Sequence, residues 1–175
     1  MKNMAQTPGQ RLKETVQEEG AKLRAVPERE AAARPGGGEG WSRKQELGHL
    51  IDSATNNRMR FIVAVLNRNF TGPTYDGRGW VELGGYADAP WADLVELWVR
   101  SNDALARVIE RIPNERLSAH CKVGDADPVS LEFLIDDYLL HMQHHLDHIL
   151  GRERQTAYPG SLREELTTQS KLPDA

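Results

Sequence analysis

The stretch "LEFLIDDYLLHMQHHLDHIL", residues 131–150, decides the fold. Leu131, Leu134, Ile135, Tyr138, Leu139, Met142, Leu146 and Ile149 recur at three- and four-residue intervals, and at ~100° per residue they fill one arc of a helix. Ser130 precedes them as an N-cap, and Gly151 follows at the position where helices commonly turn into left-handed backbone. The same segment carries four of the chain's six histidines. With His141 at zero, His145 falls at ~40°, between Leu134 and Tyr138, while His148 at about −20° and His144 at about −60° lie nearer solvent. His141 and His145 are therefore the inward pair. They stand one turn apart on one face, as a helix must present them to grip a single ion. A solvated face with incidental histidines remains the competing reading, because the HExxH pattern with its built-in general base is absent. Two imidazoles do not complete a metal site. A third ligand has to come from elsewhere, and the chain offers His49 and His120.

Helical periodicity also governs the segments upstream. Residues 9–26 carry Leu12, Val16, Leu23 and Val26 at helical spacing and close at Pro27. Pro35 and the glycines after it break the pattern, so residues 27–40 read as a flexible connection. Ser42 with Gln45 three positions on forms a capping box, with Trp41 placed as a hydrophobic staple, and opens a second helix reaching Leu66 to Arg68. Residues 69–90, with five glycines, two prolines and four aromatics, read as a long ordered loop of the kind that carries function. Leu94, Leu97, Trp98, Leu105, Val108, Ile109 and Ile112 define a third helix that ends before Pro113. Residues 113–130 form another connector, with at most a short strand near Cys121.

The predicted fold is thus all-α, a four-helix bundle with long inter-helix loops, in which sites are built from side chains on facing helices. One domain over residues 1–155 is expected, followed by a tail, 156–175, with a short helix near 160–168. The net charge of −4, with both signs interspersed, provides no basic stripe for nucleic acid. No apolar run is long enough to span a bilayer, and the first twenty residues lack the apolar core of a secretory signal. A cytoplasmic protein is expected. The single cysteine, Cys121, forms neither an internal disulfide nor a zinc framework and is read as a packing residue.

On the second helix, Leu47, Leu50, Ile51, Ala54, Phe61, Ile62 and Val65 face away from His49, which shares its side with Ser53, Asn56 and Arg60. Periodicity alone therefore puts His49 on the surface, unless the bundle opens there into a polar cleft.

Three landmarks in fixed order bear on that choice. "GHLIDSATNNRMRF" supplies His49, Asp52, Ser53, Arg60 and Phe61; "GPTYDGRGWVEL" supplies a Pro-Tyr and a Trp; and "YLLHMQHHLDHI" supplies Tyr138, His141, His144, His145, His148 and Ile149. Together, over about residues 10–151, they resemble the DinB/YfiT family of helical-bundle metalloproteins, and its YfiT branch most closely. The resemblance implies one divalent ion, zinc or nickel, on His49, His141 and His145, with coordination positions left for water. It also implies a homodimer and a small-molecule substrate. The reaction it implies is transfer of a low-molecular-weight thiol to an electrophile, or metal-dependent hydrolysis of an ester or amide. Thiol transfer is favoured, since no residue stands out as the general base for hydrolysis. A non-catalytic metal-binding stress-response bundle is the further alternative. Gly48, Ala54 and Leu140 depart from the family pattern, which affects the pocket wall rather than the ligands.

Around the ligands, Asp52 lies one turn after His49 and Asp137 one turn before His141, where a carboxylate can receive an imidazole N–H and fix the ring. His144 and His148 are placed as neighbours of the site, and Arg60 and Tyr75 as pocket residues facing an anionic substrate.

Overall fold

The computed structural model describes residues 6–34, 40–153, 156 and 158. In chain order the elements are α1 (Pro8–Arg24), α2 (Glu28–Ala32), α3 (Arg43–Asn67), β1 (Asn69–Gly72), α4 (Gly77–Gly84), α5 (Trp91–Ile109), a 3-10 turn at Asn114–Arg116, β2 (His120–Val123), β3 (Val129–Ser130) and α6 (Leu131–Ile149). The long helices α1, α3, α5 and α6 form the bundle. Going round it, α1 lies against α5, α5 against α3, α3 against α6, and α6 returns to α1. Leu12 and Leu23, Leu47 and Phe61, Trp98 and Leu105, and Ile135 and Leu146 meet in a single core drawn from all four.

Local chemistry explains where the helices start. Ser42 Oγ accepts the Gln45 N–H at 3.3 Å and Gln45 Oε1 accepts the Ser42 N–H at 3.1 Å, so the expected capping box opens α3. Thr7 and Gln10 make the same exchange at α1. Ser130 Oγ accepts the Phe133 N–H at 3.1 Å to open α6, and past its end Gly151 takes a φ of 64°, a conformation that suits glycine.

Two expectations change. Residues 69–90 are not a loop throughout, for they contain β1 and α4; α4 is capped by Asp76, whose Oδ1 accepts the Arg78 N–H at 3.1 Å, and stops at Gly85 with φ 63°. Residues 27–40 likewise contain α2, where Glu28 accepts the Trp91 N–H at 2.8 Å and pairs with Lys44. Helices this short are not stable alone, so tertiary contacts decide them and periodicity does not reveal them. The helix predicted near 160–168 lies outside the described residues.

The small sheet positions the site. β1 pairs in parallel with β2, Phe70 opposite Cys121, and β2 pairs antiparallel with β3, Cys121 opposite Val129. Because β1 leaves the end of α3 and β3 runs directly into α6, the sheet ties these two helix ends together. The antiparallel register of α3 on α6 is set there. Among the described residues no helix is long and apolar enough to cross a membrane.

Candidate metal centre

Away from the sheet, the α3–α6 seam turns polar. Along α3, Glu46, His49, Ser53, Asn57 and Arg60 follow one another at three- and four-residue steps and form a stripe beside the apolar one. Glu46, Ser53, Asn57 and Arg60 are all buried, and His49 is half-buried. Each step along α3 meets a step back along α6: Ser53 faces His141, His49 faces His145, and Glu46 faces both His145 and His148.

His49, His141 and His145 converge. Their ligand nitrogens all lie within 4.8 Å of one another, and the Nε2 atoms of His49 and His141 are 3.1 Å apart. The ring centroids of His49 and His145 are 4.9 Å apart, and those of His141 and His145 4.6 Å apart. Three imidazoles at this separation have the chemistry and spacing of a divalent-ion donor set with open positions. His49 is thus not a surface residue: the Trp41 ring stands 5.3 Å away, and the start of α4 at Gly77 closes against the imidazole.

The outer nitrogens of His141 and His145 are also engaged. His141 Nδ1 lies 3.3 Å from Ser53 Oγ, and Ser53 is itself held by Asn57 Nδ2, which donates to its carbonyl at 3.0 Å. His145 Nδ1 lies 2.9 Å from Glu46 Oε1. His148 Nδ1 reaches both oxygens of the same carboxylate, at 2.7 and 2.8 Å. Burial opposes ionisation of Glu46, but the hydrogen bonds from His145 and His148 outweigh it and hold the carboxyl below its ordinary value.

Glu46, in the first turn of α3, was not among the residues singled out from sequence. The signal that finds it is the polar stripe, in which Glu46 precedes His49 by three residues and Ser53 by seven. Asp52, predicted beside His49, accepts from Tyr86 Oη at 2.6 Å, and burial pushes its carboxyl above the ordinary value despite that bond. Tyr86 also accounts for Gly48: a Cβ there would come within 2.1 Å of the Tyr86 ring, so the residue that departs from the family pattern makes room for the ring bonded to Asp52.

The other predicted residues fall on either side of the three rings. The His144 ring meets that of His145 edge-on, with centroids 5.2 Å apart, and lies tilted 5.5 Å from Tyr158, whose ring is also 5.4 Å from His141. On the sheet side, a cavity of about 70 Å³ starts at His141 and runs between Asn57, Arg60 and Asp137, with Cys121, Phe133 and Leu134 among its apolar walls. Arg60 donates to the Pro73 carbonyl at 3.4 Å and sits 6.0 Å from the Tyr75 ring centroid. His120 is exposed on β2 and outside the cluster. Cys121 is buried, and burial pushes its thiol up to about 11.

Comparison with known proteins agrees with this architecture. Residues 13–149 match the sequence profile described as the DinB superfamily. A protein of Oceanobacillus iheyensis provisionally named a metal-dependent hydrolase is 31% identical over 113 residues, which cover 63% of this chain and 63% of that protein. The fold is similar to that of YfiT from Bacillus subtilis, described as a provisionally assigned metal-dependent hydrolase with an unusual four-helix bundle topology. That match has a TM-score of 0.69 at 21% identity and covers 86% of this chain and 90% of the other.

Proposed function

The chain belongs to the DinB superfamily, and from that premise we propose that it is a metal-dependent enzyme acting on a small molecule, with His49, His141 and His145 as the ligands of one divalent ion, zinc or nickel. The convergence of three imidazole nitrogens from two helices carries this reading. A divalent ion so held supplies Lewis acidity, favouring the deprotonated form of a small nucleophile such as a thiol or water. The chain's own residues do the rest. Ser53 and Glu46 hold the outer faces of two ligand rings, Phe133 and Leu134 give the cavity an apolar wall, and Arg60, steadied by Pro73 and Tyr75, offers a fixed positive charge to an anionic part of the substrate.

Transfer of a low-molecular-weight thiol to an electrophile is the favoured reaction. Two acidic side chains near the rings, Glu46 and Asp52, are engaged by histidines and by Tyr86, and a thiol needs less help from a base than water does. Hydrolysis of an ester or amide is the second reading, favoured by Asp137, which lines the same cavity as His141, and by the names of the two relatives. A cytoplasmic homodimer completes the proposal.

The test is turnover by metal-loaded protein against a panel of thiols with an electrophilic acceptor, run beside an ester and amide panel. Thiol-dependent consumption of the acceptor supports transfer, and cleavage without thiol supports hydrolysis. Stoichiometric metal with no turnover in either panel assigns a non-catalytic metal-binding bundle.

A further inference from the structure

One carboxylate serves two imidazoles, and only one of those rings belongs to the cluster of three. The Glu46 side chain is 7% exposed, against 17% for His145 and 63% for His148. A buried carboxylate accepts hydrogen bonds and donates none. A neutral imidazole facing it through Nδ1 must therefore carry its proton there, leaving the lone pair on Nε2. For His145 that makes Nε2 the nitrogen available to the cluster.

His148 adds a second constraint. Its Nδ1 lies almost equally close to Oε1 and Oε2, at 2.7 and 2.8 Å, while His145 meets Oε1 alone, at 2.9 Å. The exposed ring spans the carboxylate and fixes the plane in which Oε1 points at His145. The helix register makes this geometry available, since His145 and His148 are separated by one turn and Glu46 reaches both across the seam.

We infer that Glu46, oriented by His148, is the positioning residue for His145: it fixes that ring's tautomer and rotation, and so sets how tightly the three-histidine cluster holds its ion. The inference rests on the metal reading proposed above. Outer carboxylates that orient ligand histidines contribute about 10–100-fold in metal affinity. Neither residue need contact the ion.

The test uses full-length protein prepared without a polyhistidine tag. Zinc affinity is measured by competition with a chromophoric chelator, and the protonated nitrogen of His145 by ¹⁵N imidazole spectra of the metal-free protein. Wild type is expected to bind one zinc and to show His145 protonated on Nδ1. In Glu46→Gln, zinc affinity should fall about 10–100-fold, with one zinc still bound at saturation and His145 moving to a mixture of tautomers. His148→Ala removes only an exposed ring, so it keeps the fold, and it should lower affinity by a smaller factor. Wild-type affinity in both variants, with an unchanged tautomer and only lower stability of the metal-free protein, overturns the inference and makes Glu46 a structural residue. Failure of wild type to bind zinc overturns the three-histidine reading itself, a distinguishable result.

Discussion

Two seams of one bundle have been put to different uses. Where α1 meets α5, Leu12, Val16 and Leu23 pack with Val95, Trp98 and Leu105, and Gly9 allows such close approach that a Cβ there would sit 2.6 Å from Glu110 Cγ. Where α3 meets α6, away from the sheet, the facing positions are Glu46, His49 and Ser53 against His141, His145 and His148. Apolar burial stabilises the first seam. In the second, polar groups withdrawn from water must satisfy one another or cost stability. The contrast separates residues that hold the fold from those that hold the site.

Substitutions in the two seams should therefore have different signatures. Trp98, fully buried, is the most damaging truncation: Trp98→Ala should cost about 3–5 kcal/mol in urea denaturation, while the molecules that remain folded keep their metal. The next effect in size belongs to the polar seam. Adding metal to about a hundred times its Kd should stabilise the bundle by about 2.7 kcal/mol, and chelation should reverse this with the far-ultraviolet circular dichroism unchanged. Unfolding on chelation would mean that the polar seam also holds the fold. Gly48→Ala, which drives a methyl into the Tyr86 ring, should cost about 1–3 kcal/mol by denaturation and leave metal stoichiometry intact. The smallest effect concerns the cavity wall. With its thiol pushed up to about 11 and the side chain buried, Cys121 should react with iodoacetamide at pH 8 about a hundredfold more slowly in native protein than in urea. Equal rates would show that the wall opens.

How much of this was legible in the sequence depended on element length and on which periodicity was followed. α3 and α6 carry long apolar repeats and side-chain caps at Ser42 and Ser130, so their extents and inward faces were readable. The inward pair His141 and His145 followed from helical angles alone. α2, α4 and the strands β1 and β3 were not readable, because elements of so few residues take their shape from tertiary contacts such as Glu28 with Trp91. The surface reading of His49 came from following only the apolar stripe of α3. Its polar neighbours at one-turn spacing describe a second buried face, and that face becomes visible only when α6 supplies the matching imidazoles. Resemblance to the DinB/YfiT pattern pointed to His49, whereas Glu46 stood outside the motif and required the coordinates.

Elemental analysis of tag-free protein tests the central claim most directly, with wild type, His144→Ala and His145→Ala compared side by side. The account predicts one equivalent of divalent metal in wild type and in His144→Ala, and none in His145→Ala. Metal-free wild type, or a full equivalent retained by His145→Ala, would contradict it.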